Sequence, residues 1–446
     1  MHMVGMGGAG MSAIARILTE AGSTVSGSDA RESASLEALR GLGIKADVGH
    51  RAEQAAGADV LVVSSAVPPT NPEVRLATSS GIPVVWRGQA LAHLVRGFRS
   101  VAVSGTHGKT TTSGMIATVT RLAGMDPTYV LGADLSGGGP GGHLGAGNIA
   151  VVEADEAYGS FLWLEPSISL VTNVDRDHMD HYGDWESLKS AFRVFMEKAS
   201  ERVIICADDP HVVGVAAGID VVTYGFDPDA RIRGDELESG AGGSSFRLLV
   251  EGRPRATVAL NVAGRHNAQN ALGAAAACLS LGMSVESIVE GLARFRGVSR
   301  RFEFRGRLQG ADLVDDYAHH PAEIEATLSA ARWGPWTRVV AVFQPHLYSR
   351  TRDLWREFGA ALSSADTVVV TDIYGAREDP IPGVTGKLIV ESVCEHAPGR
   401  TVVYMPRLND AARYLRKVVR QGDLILTLGA GDITTLHDRL SEPPEW

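Results

Sequence analysis

The alternation of short apolar runs with amphipathic segments predicts parallel α/β structure from the first residues onward. Four apolar strands are predicted in the first hundred residues, at Met1 to Val4, around Val25, at Val60 to Val63 and at Val84-Val85. Helical segments separate them, beginning with Met11 to Ala21. Such alternation is typical of βα units in a parallel sheet. Arg96 to Ser100 interrupts the pattern and predicts a hinge, so a first domain is placed at residues 1–97.

The second region, residues 98–298, has the same alternation with two additions. Its predicted strands are Val101 to Val103, Ile149 to Val152, Ile168 to Thr172 and Val203 to Cys206, followed by an Ala-rich helix over Asn267 to Gly282. Period-two patterning within Arg231 to Gly264 predicts a small β appendage. The glycine-rich stretch Ser136 to Gly147 is interpreted as a mobile loop.

A third α/β region is predicted for residues 299–446. Its strands are Asp312 to Asp316, Val339 to Gln344, Thr367 to Thr371, Thr401 to Met405 and Asp423 to Leu428, with helices between them. A chain of 446 residues fits three domains of roughly 150 residues each.

Composition and charge exclude several classes of function. A net charge of −10 argues against a nonspecific nucleic-acid or anionic-membrane surface. The three cysteines (Cys206, Cys278 and Cys394) form no CxxC pair, which argues against a disulfide framework or a zinc knuckle. No apolar run reaches the ~18–20 residues of a membrane span, and no signal peptide is evident. We therefore expect a cytoplasmic protein without membrane insertion.

The segment Gly105-Thr106-His107-Gly108-Lys109-Thr110-Thr111 predicts a nucleoside triphosphate site. It follows an apolar strand and opens a helix, so backbone N–H groups and the helix N-terminus can cradle phosphate. Lys109 adds a full positive charge, and Thr110 or Thr111 can ligate Mg²⁺. The segment is shorter than the general pattern, since Val103 stands where a first glycine is usual. The alternative is a strand–helix turn that contains these residues by chance.

A second glycine loop lies at the N-terminus. Gly5, Gly7 and Gly10 fit G-x-G-x-x-G, and Asp29 follows about 20 residues later. The pattern fits a dinucleotide, with Asp29 on a ribose hydroxyl, and equally any diphosphate-linked nucleoside such as a UDP-sugar. Glycines that serve only tight strand–helix packing are the alternative.

Polar groups at the ends of predicted strands mark further candidate residues. Glu153 ends a four-residue apolar strand, where a ligand for Mg²⁺ shared with phosphate is needed. His178 follows the next strand and can ligate a metal or orient a phosphoryl oxygen, although a surface loop explains it equally well. Asn270 lies in a polar segment that can contact adenine or cap the Ala-rich helix.

The third region carries two dense clusters of polar groups. Asp315-Asp316-Tyr317-Ala318-His319-His320-Pro321 follows one strand, and Pro321 fits the first turn of a helix. Gln344 to Arg350 follows another strand, and Arg350 can clamp a carboxylate or can be a solvated surface charge. Both clusters are predicted at the carboxyl ends of strands, where open α/β sheets bind ligands.

Together these motifs resemble the Mur ligase family, and within it the type that adds L-alanine to UDP-N-acetylmuramate. The resemblance covers essentially the whole chain. It rests on GMGGAGMSAIA, SGSD, SSAVPPTNPE, GTHGKTTT, EADE, TNVDRDHMDHY, GRHNAQN, RRFE, DDYAHHPAE, QPHLYSRT and LTLGAGDI.

The resemblance implies a three-domain fold and an ATP-dependent reaction. The fold is an N-terminal Rossmann-like domain for the UDP-sugar, a central P-loop-type ATPase domain with a mostly parallel sheet, and a C-terminal Rossmann-like domain for the amino acid. In the reaction, ATP phosphorylates the carboxylate of UDP-N-acetylmuramate, and the amine of L-alanine attacks the acyl phosphate. The cofactors are ATP and Mg²⁺, and a monomer or a homodimer is expected.

The resemblance also implies roles for individual residues. Lys109, Glu153 and His178 are expected to be catalytic, with Thr110, Glu153 and His178 on the metal. ATP contacts are expected from Gly105, Thr106, His107, Gly108, Lys109, Thr110, Thr111, Asn270, Arg301 and Asp316. UDP-sugar contacts are expected from Gly5, Gly7, Gly8, Gly10, Met11, Ser28, Asp29 and Ser65. The amino acid is expected against Tyr317, His346 and Arg350.

Three alternatives remain at this point. A related ligase that recycles murein tripeptide shares the first two domains, but QPHLYSRT and DDYAHHPAE favour the alanine-adding type. A dinucleotide-dependent oxidoreductase would use GMGGAG and Asp29, but GTHGKT with EADE argues against it. A nucleotide-binding protein without activity is disfavoured by intact Lys109, Glu153 and His178.

Overall fold

The computed structural model describes residues 1–137, 139–240, 242–376 and 378–441, with the backbone alone at residue 180. Gly138 of the predicted mobile loop and residues 442–446 of the predicted third domain lie outside the described residues. The chain divides into two compact units. The first comprises Met1–Glu238, Ser245–Asn261 and Asn267–Val298, and the second comprises Ser239–Ser244, Val262–His266 and Ser299–Trp446.

The first unit begins with a five-stranded parallel sheet of order β3-β2-β1-β4-β5. Its elements are β1 (His2–Val4), α1 (Ala9–Glu20), β2 (Ser26–Asp29), α2 (Ala34–Gly41), β3 (Lys45–Val48), β4 (Leu61–Val63), α3 (Pro72–Ser79), β5 (Val84–Trp86) and α4 (Arg87–Leu94). The four predicted strands are confirmed. β3 was not predicted because it is an edge strand of sequence KADV, in which Ala46 alone is fully buried.

A ten-stranded sheet of order β15-β14-β13-β12-β11-β10-β6-β9-β7-β8 follows. Its elements are β6 (Arg99–Ser104), α5 (Lys109–Leu122), β7 (Thr128–Val130), β8 (Gly142–His143), β9 (Ile149–Glu153), β10 (Ile168–Val171), α6 (Met179–Tyr182), α7 (Trp185–Glu197), β11 (Arg202–Cys206), α8 (Pro210–Val215), β12 (Val221–Gly225), β13 (Ile232–Gly240), β14 (Gly243–Val250), β15 (Arg253–Leu260), α9 (Arg265–Ser280) and α10 (Val285–Arg294). The predicted β appendage corresponds to β13–β15, which extend this sheet at one edge. The predicted hinge ends inside β6.

Small residues allow the helices of this region to pack closely against their neighbours. α5 is buried from Thr110 to Thr120, and a β-carbon added at Gly114 would lie 3.0 Å from Val298. The Ala-rich α9 is confirmed, and a β-carbon at its Gly273 would lie 2.8 Å from the Tyr224 ring.

The stretch predicted as a mobile loop differs from that expectation. Its residues Gly142–His143 form β8, which pairs antiparallel with β7. A β-carbon at Gly142 would lie 2.5 Å from the Ala13 carbonyl oxygen, and one at Gly145 would lie 2.0 Å from the Asp126 carbonyl oxygen. Close packing between backbone segments accounts for these glycines.

The second unit holds a six-stranded sheet of order β16-β17-β21-β18-β19-β20. Its elements are β16 (Glu303–Leu308), β17 (Ala311–Asp316), α11 (Pro321–Arg332), β18 (Arg338–Phe343), α12 (Tyr348–Leu362), β19 (Thr367–Val370), α13 (Lys387–His396), β20 (Thr401–Tyr404), α14 (Leu408–Val418), β21 (Asp423–Leu428) and α15 (Leu436–Ser441). All five predicted strands are confirmed. β16, which was not predicted, is a largely exposed antiparallel edge strand rich in charge.

Helices cover both faces of the six-stranded sheet, with one buried cluster of apolar residues on each face. β17 and β18 both pair parallel with β21, so the polar clusters that follow these strands lie at the same edge of the sheet, as predicted. Among the described residues, no helix has both the length and the apolar character required to cross a bilayer.

Candidate functional site

The conformation of the loop between β6 and α5 is set by its glycines and by the loop that follows β10. Gly105 (φ +127°) and Gly108 (φ +83°) have backbone conformations that favour glycine. The main chain of His107 is fixed by Asn173, whose Oδ1 accepts from the His107 N–H (2.8 Å) and whose Nδ2 donates to the His107 carbonyl (3.0 Å). The loop that follows β10 thus shapes the phosphate cradle.

Lys109 lies at the start of α5 and turns back over this cradle. Its Nζ donates to the carbonyl oxygens of Gly105 (2.6 Å) and Thr106 (3.2 Å) and to Glu156 Oε2 (2.7 Å). Burial alone would lower the pKa of Lys109, but the carboxylates of Glu156, Asp155 and Glu153 raise it overall. The ammonium is therefore charged. Phosphate oxygens can replace the Gly105 and Thr106 carbonyl oxygens as its hydrogen-bond acceptors.

Asp155, Glu156 and His178 form a group able to hold a divalent cation. One ligand atom from each of these residues lies within 4.8 Å of the other two. His178 adopts a left-handed backbone conformation (φ +56°), which few non-glycine residues adopt. This geometry directs its Nε2 to 3.9 Å from Glu156 Oε1.

The donor set fits Mg²⁺. Glu156 Oε1 is buried and has no hydrogen-bond partner among the described residues, and burial raises the pKa of Glu156 against the lowering effect of Lys109. Two carboxylates beside a phosphate cradle supply the hard oxygen ligands that Mg²⁺ prefers. A bound cation would give Glu156 Oε1 the partner that it lacks among the described residues.

The predicted ligand Glu153 is placed differently from His178 and its neighbours. Its Oε2 accepts a hydrogen bond from the Gly132 N–H at 2.8 Å. In the described part of the chain, the metal-capable group around His178 includes Asp155 and Glu156 and does not include Glu153. A metal role for Glu153 stays a prediction.

Asn270 and the hydroxyls of α5 border the same cradle. A β-carbon at Gly108 would lie 2.5 Å from Asn270 Oδ1, so this amide stands directly over the loop. Thr110 and Thr111 lie in the first turn of α5 and are largely buried. Their roles in ATP binding stay predictions that this placement supports.

The N-terminal glycine loop is closed by β2. The Gly5 and Met6 N–H groups donate to the Ser28 carbonyl at 2.8 and 3.1 Å. The Gly7 N–H donates to Asp29 Oδ2 at 2.9 Å. Asp29 therefore orders the glycine loop. Its contact with a ribose hydroxyl stays a prediction.

The other residues predicted for the UDP-sugar divide into exposed and buried positions. Gly8 caps α1, and a β-carbon there would lie no closer than 3.8 Å to any atom of the described residues, which leaves room for a ligand. Ser65 is half-buried after β4. In contrast, the Met11 side chain is buried in the core. The buried Ser28 hydroxyl donates to Glu73 at 2.7 Å. The side chains of Met11 and Ser28 therefore both face the interior, and their contacts with the UDP-sugar stay predictions.

In the second unit, Asp316 organises the turn that carries Arg301. Its two carboxylate oxygens accept from the Phe302 and Ala318 N–H groups, each at 2.8 Å. Burial raises the pKa of Asp316 to about 6, although Arg301 opposes this. The Arg301 guanidinium donates to Glu323 at 3.3 Å and lies 5.4 Å from the centre of the Tyr317 ring.

The residues predicted for the amino acid are linked by ring contacts. Tyr317 contacts His319 (5.3 Å between ring centroids), and His319 contacts His346 (5.8 Å). Arg350 Nη1 lies 3.3 Å from His346 Nδ1. Tyr317, His346 and Arg350 are therefore gathered at one edge of the sheet.

Three further residues of these sites carried a sequence signal that was not used. Tyr374 stacks on His346 at 5.9 Å and follows β19 at the same sheet edge as the predicted clusters. Asp155 and Glu156 are in the EADE motif, in which Glu153 alone was assigned a role.

Comparisons with known proteins decide the family. Three family models match in succession: the Mur ligase family catalytic domain (residues 1–99), the Mur ligase middle domain (103–278), and the Mur ligase glutamate ligase domain (300–431). The chain belongs to the Mur ligase family.

Individual relatives of this Mur ligase are similar over nearly their whole length. The UDP-N-acetylmuramate–L-alanine ligase of Kineococcus radiotolerans is 47% identical over 448 residues, covering 98% of this chain and 94% of the relative. The crystal structure of UDP-N-acetylmuramate-alanine ligase from Thermotoga maritima has a TM-score of 0.85 at 30% identity, covering 98% and 97%. The three-domain α/β fold is thereby confirmed.

A murein peptide ligase from Psychrobacter arcticus shares the fold. Its TM-score is 0.74 at 22% identity, with 98% of this chain and 97% of that chain covered. At this identity the likeness concerns the fold alone.

Proposed function

We propose that this Mur ligase is the ATP-dependent enzyme that joins L-alanine to the carboxylate of UDP-N-acetylmuramate. The observation that carries the proposal is the cradle around Lys109 with a cation-binding group beside it, in a chain 47% identical to an enzyme of that name. The oxidoreductase alternative is abandoned because a nicotinamide enzyme needs no triphosphate cradle.

The chemistry proceeds in two steps. A carboxylate oxygen of UDP-N-acetylmuramate attacks the γ-phosphorus of ATP, and the bond from that phosphorus to the β-bridging oxygen breaks to release ADP. The amine of L-alanine then attacks the acyl carbon, loses a proton, and expels phosphate with the carboxylate oxygen still attached. Phosphorylation thus converts a poor leaving group into a good one.

The chain's own residues stabilise the charge that moves in the first step. Glu156 holds the Lys109 ammonium at the cradle before ATP arrives, and phosphate oxygens then replace the loop carbonyl oxygens as its hydrogen-bond acceptors. Asp155, Glu156 and His178 would hold Mg²⁺, with Thr110 and Glu153 as further candidates. When bound, Mg²⁺ neutralises phosphate charge beside Lys109.

The remaining ligands are assigned to the other candidate sites. The N-terminal glycine loop with Asp29 and Ser65 takes the UDP-sugar, and the cluster of Tyr317, His346 and Arg350 takes L-alanine, with Arg350 on its carboxylate. Asn270, Arg301 and Asp316 contact ATP. We place the domain boundaries at 97/98 and 298/299. Because ATP and UDP-sugars are cytoplasmic metabolites, we propose that the enzyme works there, as a monomer or a homodimer.

Phosphate release from Mg-ATP tests this function. We expect release to require both UDP-N-acetylmuramate and L-alanine. Release that depends on murein tripeptide instead would reassign the chain to peptide recycling. If neither L-alanine nor murein tripeptide supports phosphate release, both ligase assignments are rejected.

A further inference from the structure

Arg87, which has no role in the function proposed above, contacts the N-terminal glycine loop region and the segment that follows β9. It is the first residue of α4, and its Nη2 donates to Asp155 Oδ2 at 2.7 Å and to Ser160 Oγ at 3.3 Å. On its other side, a β-carbon added at Gly10 would lie only 2.7 Å from Arg87 Nη1. The guanidinium therefore spans from the start of α1 to the metal-capable group.

The packing around Arg87 holds it in this position. A β-carbon at the adjacent Gly88 would lie 2.7 Å from the Ser160 carbonyl oxygen, so the start of α4 touches the short 3-10 helix Ala157–Trp163. The Arg87 side chain is 19% exposed and the Asp155 side chain 30% exposed. An ion pair in this setting is less screened than a surface pair.

Asp155 lies between Arg87 and the metal-capable group. Its Oδ2 accepts a hydrogen bond from Arg87 at 2.7 Å, and the same residue belongs to the group with Glu156 and His178. A carboxylate already bonded to a guanidinium is a weakened ligand for a cation. Arg87 thus reduces the capacity of the group formed by Asp155, Glu156 and His178 to hold Mg²⁺.

A diphosphate at the N-terminal glycine loop would compete for the same guanidinium. The start of α1 offers N–H groups and partial positive charge, and Arg87 lies against Gly10 in that first turn. A guanidinium pairs with phosphate oxygens in the same forked geometry as with a carboxylate.

We propose that Arg87 is a ligand of the UDP-sugar diphosphate and that it leaves Asp155 when this diphosphate binds, which prepares the second site for Mg-ATP. The inference rests on the proposed function, because it takes a nucleoside diphosphate as the ligand of the first loop. Its consequence is a positive coupling between the two sites. Thermodynamic linkage requires that each ligand tighten the other by the same factor.

Calorimetry on the full chain tests the coupling without measuring turnover. The probes are UDP-N-acetylmuramate and a non-hydrolysable ATP analogue with Mg²⁺, each titrated alone and in the presence of the other. For the parent we expect each ligand to tighten the other by roughly 5- to 100-fold. For Arg87→Gln we expect UDP-N-acetylmuramate to bind about tenfold or more weakly and the coupling to fall below about twofold.

Asp155→Asn is the second variant. It tests whether Arg87 must leave the Asp155 carboxylate before it can bind the diphosphate. It releases Arg87 from its carboxylate, so UDP-N-acetylmuramate alone should bind several-fold more tightly than to the parent. Arg75→Gln, which removes an exposed arginine of α3, is the matched control and should change neither affinity nor coupling.

The outcomes are distinct. Unchanged UDP-N-acetylmuramate affinity in Arg87→Gln overturns the inference, as does a weakened affinity with the coupling intact. A parent protein that binds both probes without coupling overturns it while the proposed function stands. A parent that does not bind UDP-N-acetylmuramate overturns the proposed function itself.

Discussion

Lys109 and Glu156 form a buried ion pair, with 2.7 Å between Nζ and Oε2, at the opening of the phosphate cradle. The side chains are only 13% and 2% exposed, so water solvates neither charge well. Each charge is instead stabilised by the other. The pair holds the ammonium in place before ATP binds. It also means that removal of Lys109 has two effects, one on catalysis and one on stability.

We expect Lys109→Ala to reduce ATP-dependent turnover at least roughly 100-fold, because a preorganised charge on the transferring phosphoryl group is lost. UDP-N-acetylmuramate binding should be largely retained. Phosphate release and calorimetry measure the two quantities, and Lys189→Ala on α7 is the control.

The loss of Glu156's partner in Lys109→Ala should lower the thermal midpoint, since an uncompensated buried charge costs about 3–5 kcal/mol. The double variant Lys109→Ala/Glu156→Gln should recover stability and not turnover. Recovery of turnover as well would contradict the assignment of Lys109.

His178→Ala should raise the Mg²⁺ concentration needed for half-maximal rate by about tenfold or more, because one of three clustered ligand groups is removed. Chelation of Mg²⁺ should abolish turnover in the parent. A magnesium titration of the rate checks both statements. His93→Ala, an exposed histidine of α4, should titrate like the parent. An unchanged magnesium requirement in His178→Ala would remove His178 from the metal group.

Gly108→Ala should weaken ATP binding more than the strain of its backbone alone explains. The substitution places a β-carbon 2.5 Å from Asn270 Oδ1, and a left-handed conformation costs a non-glycine residue about 1–2 kcal/mol. Gly124→Ala is the matched control, because Gly124 has a similar φ of +76° and its added β-carbon would meet no atom of the described residues within 4 Å. Both variants should lose stability, and Gly108→Ala alone should lose ATP affinity by calorimetry. Equal ATP affinities in the two variants would show that the Asn270 contact is unimportant.

Asp316 should make the stability of the protein depend on pH between about 4 and 6. Burial raises its pKa from 3.8 to about 6 in the folded protein. The stability that this group contributes is therefore fully present below about pH 4 and is lost as the pH rises through 6. Relative to Asp316→Asn, the parent should lose about 2–3 kcal/mol between pH 4 and pH 7. Urea unfolding at several pH values measures the difference, with the exposed Asp438→Asn as control. Parallel pH curves for the parent and Asp316→Asn would refute the raised pKa.

Much of the fold could be predicted from the sequence because its strands are buried apolar runs. β9 and β21 are enclosed on both faces, so their apolar residues are consecutive and easily recognised. β3 and β16 were missed since edge strands bury few of their side chains. The glycines at 142 and 145 were misinterpreted because glycine required for close packing and glycine in a mobile loop look the same in a sequence.

The candidate sites were predicted where a motif fixes a local backbone shape. Lys109 and Gly108 follow from strand, loop and helix in succession, and the structure places them as expected. The partners of His178 were harder, since the choice among Glu153, Asp155 and Glu156 depends on how the chain turns after β9. Arg87 carried no signal, because its contact with Asp155 joins residues 68 positions apart.

The transfer of oxygen from substrate to phosphate tests the central claim most directly. UDP-N-acetylmuramate labelled with ¹⁸O in its carboxylate is incubated with Mg-ATP and L-alanine, and the released phosphate and the nucleotide product are analysed by mass spectrometry. The account predicts one ¹⁸O atom in each phosphate released and one equivalent of the L-alanine amide formed. Unlabelled phosphate, or labelled phosphate without the amide, would contradict it.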